Sequence, residues 1–291
     1  MKNQIKTIVL LGILSAILVW IGGFLGTNYM YLFTAIALLM NLGAYFYSDR
    51  IVLAVQGAKE ITPQQAPDLH RMVGELALQA QIPKPRIFVT DDPHANAFAT
   101  GRNPKHGVVA VTTGILDVLN ERELRGVLAH EIAHIKNRDI LLSTIAAAIA
   151  TAVTYMAHVL SYSALFGGGG QDGGRGAGGG GILFALVAPV AAVLVQLGIS
   201  RSREYHADET GARISGDPDA LATALERLAR SAERIPSHTE PAMASLFIVN
   251  PFAGTEGLQS LFSTHPPVRL RIRRLRELSN SIMRVSTKSA A

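Results

Sequence analysis

Four stretches of this 291-residue sequence run without a charged residue for about the length that crosses a bilayer. They are Thr7–Leu25, Met30–Ser48, Ile140–Phe166 and Ile182–Ser200. About 20 apolar residues in a helix span the ~30 Å hydrocarbon layer, where every backbone polar group has to be bonded internally. Such segments are expected to be helices, with the rest of the chain folding around them. Charged residues make up 17% of the chain, against roughly 25% in soluble proteins, and the deficit falls in these stretches.

The first two stretches are joined by the uncharged link Gly26–Tyr29 and read as a transmembrane hairpin within residues 1–48. Lys2 and Lys6 would also suit a signal peptide. The apolar run is too long for one, however, and no small-residue cleavage site follows, so a retained anchor is expected. The third and fourth stretches, within residues 140–200, are connected by residues 167–181, eleven of which are glycine. That loop has no GKS/T ending and no strand before it. It therefore reads as a flexible linker and not as a phosphate cradle. Lys2, Lys6, Arg50, Lys59, Lys136, Arg138, Arg201 and Arg203 flank the spans on one side, while the other side carries only Arg175. By the positive-inside rule both termini, and the polar segments 49–139 and 201–291, are expected in the cytoplasm. The net charge of +5 has its basic residues beside apolar segments, which suits anionic lipid better than nucleic acid.

The two polar segments read as one α+β body. Asp68–Gln81 has helical spacing at Leu69, Met72, Val73 and Leu76, and Arg86–Thr90 and Val108–Thr112 look like strands. Asn96–Thr100 is a third candidate strand. Asp217-Pro218 is a helix start continued by Leu221, Leu225 and Leu228. Val268–Leu278 carries five arginines, with Val268, Ile272 and Leu275 on one face, and reads as a packed helix with a basic, lipid-facing edge.

There is no cysteine, so a metal could be held only by histidine and carboxylates. Asn120, with Glu123 three residues on, forms a capping-box signature, and Leu119 and Leu124 can staple the start. The helix begun there contains His130-Glu131-Ile132-Ala133-His134. No proline stops it, and a continuous helix of about 40 residues into the third span is expected. Histidines four apart share a face and can bind one zinc ion, while Glu131, rotated about 100° from the first, can act as general base towards water without taking a ligand position. A third ligand has to come from elsewhere. Glu204 and Asp208 share a face just after the fourth span. Glu204 is the preferred ligand, with Asp208 behind a ligand histidine, and His206 is the rival.

His130–His134 followed by Asn137-Arg138-Asp139, then Glu204 to Asp208, resembles the HtpX family of membrane zinc proteases, relatives of the CAAX prenyl endopeptidases. Asn96-Ala97-Phe98-Ala99-Thr100-Gly101 and Thr264-His265-Pro266-Pro267 also match, so the resemblance covers nearly the whole chain. It implies a mainly α membrane protein: four transmembrane helices and a cytoplasmic zincin-like HExxH domain with a small sheet. It further implies one Zn2+ per chain, completed by Glu204, and cleavage of misfolded or damaged membrane proteins at the cytoplasmic face of a bacterial inner membrane. By the same analogy Asn96, Phe98 and Ala99 belong to an edge strand that pairs with extended substrate, although a plain hairpin strand fits the residues equally. His265 could donate to the developing oxyanion or simply cap a helix. Cleavage within the bilayer is disfavoured, because Glu121–Arg125, Lys136 and Arg138 bracket the motif with charge. A non-proteolytic zinc-binding scaffold or chaperone is the alternative from another class.

Overall fold

The structure, a computed structural model, describes residues 26–145, 201–234, 246–249 and 266–289, together with residues 9, 11, 12, 15, 16, 19, 20 and 23. The rest of the first span, most of the third, all of the fourth and the glycine-rich loop lie outside the described residues.

Helix α1 (Thr27–Val55) follows Gly26, whose φ of 128° favours glycine. Its 29 residues span about 43 Å at 1.5 Å per residue, and the second expected span lies inside it. Among the described residues this is the one helix long and apolar enough to cross a membrane. Asn41 Nδ2 donates to Ser15 Oγ at 2.7 Å, and Leu11 and Ala44 pack with Leu142 and Ile145. A bond between positions 15 and 41, on either side of Gly26, is what an antiparallel hairpin turning near that residue would make. At its far end Val52 and Leu53 are buried against Phe88, Phe98, Val108 and Ala110, which joins the helix to the sheet.

The sheet contains β1 (Lys59–Glu60), β2 (Arg86–Thr90), β3 (Ala97–Thr100) and β4 (Val108–Thr112), in the order β1-β2-β4-β3. β2 and β4 are parallel and the outer pairs antiparallel, so β3 is an edge strand. The two longer strands have the bounds expected from their apolar runs. β1, at two residues, is too short to leave a pattern. Every residue of β4 is buried because both faces are covered. Val109 and Val111 join the helical core, whereas Val108 and Ala110 face the end of α1.

Helix α2 (Pro67–Ala80) has proline in its first turn and ends at Gln81 in the left-handed region. After α3 (Thr113–Val118), α4 (Glu121–Lys136) begins with the expected capping box between Asn120 and Glu123. It does not continue into the third span, which corrects the expectation of one long helix. Arg138 takes φ 57°, the chain turns through Asn137–Asp139, and residues 140–145 are helical again. A left-handed arginine costs about 1 kcal/mol, and no proline or glycine announces it. The turn is held by the contact it creates, Asp139 against His134.

α5 (Arg201–Ser215) is ended by Gly216 at φ 72°, and Asp217 then caps α6 (Pro218–Arg234). α7 (Val268–Ser289) packs on α5 and α6. The central helix α4 touches α2, α5, α6 and β3. Two glycines allow its closest approaches. A Cβ on Gly126 would lie 2.7 Å from Leu221 N, and one on Gly211 would lie 2.9 Å from His130 Cα.

Candidate metal centre and active site

The two histidines stand on one face of α4, with their Nε2 atoms 3.1 Å apart. Glu204 and Asp208, one turn apart, face them from α5, and Gly211 continues the same stripe where α5 touches the His130 backbone. Glu204 Oε2 lies 3.7 Å from His130 Nε2, and Oε1 lies 3.6 Å from His134 Nε2. Ligands about 2.0–2.1 Å from a tetrahedral zinc are roughly 3.3 Å from one another, so these three donors fit around one such ion. The ring nitrogens turned away from that point meet carboxylates. His134 Nδ1 is 3.1 Å from Asp139, and His130 Nδ1 makes a close but bent contact with Asp208 at 3.0 Å. Such pairs hold the rings with Nε2 free for metal. His206, the rival ligand, is exposed on the far side of α5.

Burial sets the electrostatics. The Glu131 carboxyl is pushed up to about 8 chiefly by burial, with Glu204 adding to the rise; His134, a backbone hydrogen bond from Ala99 and Arg271 oppose it. Burial alone would depress His134, but Asp139, with Glu204 and Glu131, outweighs it and lifts the imidazole to about 10. His130 goes the other way, desolvated and set near His134 and Arg271. Asp208 is held down to about 2, because Arg271 and His130 outweigh burial.

Arg271 is a participant that the sequence reading missed. Its side chain is 0% exposed, and it donates to Asp208 from Nε at 2.9 Å and from Nη2 at 2.7 Å, and to the Ile248 carbonyl from Nη1 at 2.8 Å. The expected basic edge of α7 therefore does not include Arg271, which points inward. Position 271 falls on the stripe of Val268, Ile272, Leu275 and Leu278, a signal that was available. The neighbouring arginines are also engaged. Arg276 meets Glu226 at 2.7 Å, Arg273 meets Glu277 at 3.8 Å, and Arg274 stacks on the Tyr205 ring at 3.7 Å. Asp139 left no such signal: five positions beyond His134 on a continuous helix, it would point elsewhere, and only the break returns it.

The strand register brings β3 to this centre. Thr112 N donates to Asn96 O, so Asn96, Phe98 and Thr100 bond to β4 and the main-chain groups of Ala97 and Ala99 face the open edge. Ala99 uses that direction to bond Glu131. Between this edge and the side chains of His130, His134 and Glu204 lies a cavity of about 40 Å³, lined also by Arg203, whose Nη1 is buried without a hydrogen-bond partner, and by Leu246, Phe247 and Ile248. That volume has room for a few water molecules and not for a peptide. Of the residues singled out in sequence, His130, Glu131, His134, Glu204, Asp208, Asn96, Phe98 and Ala99 are brought together here. His265 lies outside the described residues.

Residues 63–279 match peptidase family M48. A "Protease HtpX homolog" of Pelotomaculum thermopropionicum is 51% identical over 280 residues, covering 95% of this chain and 99% of that protein. One of Syntrophobacter fumaroxidans is 48% identical, covering 96% and 100%. The solved structure of S. mikatae Ste24p is similar at 19% identity and TM-score 0.49, over 94% of this chain and 65% of that one. None of these findings favours the scaffold alternative. With the donors of a zinc site assembled and a family match across most of its length, the chain belongs to peptidase family M48 and is a membrane zinc metalloprotease.

Proposed function

We propose that this protease cuts extended segments of misfolded or damaged membrane proteins at the cytoplasmic face of a bacterial inner membrane. The observation that carries the reading is the juxtaposition of Glu131 and the three donors with the open edge of β3. Main-chain pairing on such an edge reads any sequence, which suits a quality-control enzyme. His130, His134 and Glu204 would hold the zinc ion, which polarises a carbonyl and makes water a stronger acid. Glu131, kept from solvent, is placed to take a proton from the attacking water and to pass it to the leaving amine nitrogen. Asp208 and Asp139 hold the imidazoles, and Arg271 holds Asp208.

The membrane arrangement belongs to the same reading: four spans, with both termini on the side of the active site and Lys2, Lys6 and Arg50 against anionic headgroups. Support comes from the hairpin register at Ser15 and Asn41 and from the shared level of Leu11, Ala44, Leu142 and Ile145. In this reading the site lies beside the membrane boundary and not within the bilayer, which the α4 break and the charges around it support.

The deciding experiment compares zinc-dependent cleavage of an unfolded protein by the native chain and by Glu131→Gln in detergent. Cleavage should fall by roughly 10²–10⁴-fold with zinc still bound. Cleavage that persists in the variant would remove Glu131 from the role of base.

A further inference from the structure

Leu246–Val249 is the piece of this molecule that the catalytic reading does not use. All four of its residues are buried, although no regular element contains them. The segment crosses the outer edge of β3. Leu246 belongs to the same cluster as Phe98 on the face towards α1, while Ile248 and Val249 belong to the helical core that also holds Ala97 and Ala99. Three hydrogen bonds tie it down. The Ile248 N–H donates to Asn96 Oδ1 at 3.1 Å, Asn96 Nδ2 donates to the Leu246 carbonyl at 3.4 Å, and Arg271 Nη1 donates to the Ile248 carbonyl at 2.8 Å.

The Asn96 carboxamide thus receives a carbonyl and an N–H from residues two apart, on either side of Phe247. A parallel strand offers its neighbour the same pattern. Asn96 is itself 1% exposed, and its own backbone is already spent on Thr112. Its side chain therefore acts as one extra rung at the end of the edge strand.

We infer that Leu246–Val249 is an internal occupant of the substrate groove, and that Asn96 is a backbone receptor that a substrate segment takes over when it displaces this strap. The inference rests on the edge-strand reading above and goes beyond it. A chain adding to β3 has to run where the strap now crosses, and the remaining space of about 40 Å³ admits no peptide. The strap also describes its replacement. Phe247 lines the cavity beside the metal-ligand side chains, so the preferred segment is extended and apolar, with an aromatic or aliphatic residue next to the scissile bond.

The chain contains no cysteine, so one introduced thiol reports on the strap alone. The test uses the full-length, zinc-loaded protein in detergent, carrying Phe247→Cys in the Glu131→Gln background, which binds without cutting. The probe is a maleimide, and the added chain is an unfolded, cysteine-free protein at concentrations shown to saturate by fluorescence anisotropy. Labelling should be slow alone and about tenfold faster with the chain bound, since the strap must open for it to enter. Val249→Cys serves if the first variant fails to retain zinc. A labelling rate unchanged at saturation overturns the inference. The edge-strand reading is checked separately by Ala97→Pro, which removes an outward N–H without breaking a bond to β4. If that variant stops cleaving while labelling stays unchanged, the edge strand stands and the displaced strap does not. If it cleaves normally, the edge-strand reading falls first.

Discussion

Helices α1 and α4 invert each other. The first is apolar over most of its length and exposes many of its large apolar side chains, Leu39 at 71% and Tyr31 at 66% among them. The second carries His130 at 1% and Glu131 at 5% exposure in the middle of the fold. In water both would be errors, since exposed apolar stripes aggregate and unpaired buried charges unfold chains. Each becomes sensible once its surroundings are named. For α1 the proposed surroundings are hydrocarbon, where a helix needs only internal hydrogen bonds. For α4 they are a shell of opposite charge, with a place for one metal ion at its centre. The contrast teaches that burial has to be judged against the local solvent and partners, not against a residue's hydrophobicity.

The sharpest way to break the α4 half of the contrast is to remove a donor. Glu204→Ala should abolish stoichiometric zinc retention, read by metal analysis of protein extracted from membranes, while the chain still inserts. Tight zinc in that variant would mean that the third donor is another residue. Asp139→Asn should act next, weakening zinc by about 10–100-fold, as the loss of a carboxylate behind a ligand histidine does. It also carries a pH signature. In the metal-free site His134 is lifted to about 10 from 6.5, so zinc must displace its proton and affinity should climb with pH through that window. The same raised value means that the stability His134 contributes to the metal-free fold is fully present below about 6.5 and is lost as pH rises towards 10. Asp139→Asn should flatten both slopes, and unchanged slopes would remove Asp139 as their cause.

Gly211→Ala probes the spacing between α4 and α5 and not a donor. Its Cβ would sit 2.9 Å from His130 backbone atoms, so one helix must shift, at about 1–3 kcal/mol. Thermal unfolding of the metal-loaded protein should show that loss, and a zinc affinity unaffected by it would show that the two helices tolerate separation. The smallest effect is expected in the membrane half. Asn41→Leu removes the Ser15 bond and should cost only about 0.6 kcal/mol of hairpin stability, measured by steric trapping or mild-detergent unfolding. A loss of several kcal/mol there would mean that α1 depends on polar bonds as α4 does, and the contrast would fail.

Much of this protein could be read along the chain because its signals are local. Helix α4 was legible from Asn120 and Glu123, the shared face of His130 and His134 from a spacing of four, and the long strands from apolar runs bounded by turns. Glu204 and Asp208 were legible as a pair on one face, because helical periodicity needs no knowledge of the partner helix. What escaped depends on how elements meet. The Arg138 turn has no local cause, and the Asp139–His134 contact that holds it exists only after the turn has formed. Arg271 was outvoted by four arginines around it, although its stripe marked it as inward. The hold of Asn96 on residues 246 and 248 spans 150 positions of sequence, beyond the reach of any periodicity. By itself the sequence determined which residues could bind metal, which segments suit lipid, and where helices start. The tertiary structure decided which carboxylate backs which imidazole, that a buried arginine ties Asp208 to the strap, and that the strap is held by the Asn96 carboxamide at the end of β3. The reason is physical: propensity and amphipathicity act over a few residues, whereas the placement of a buried charge is settled by whatever long-range packing brings within about 3 Å of it.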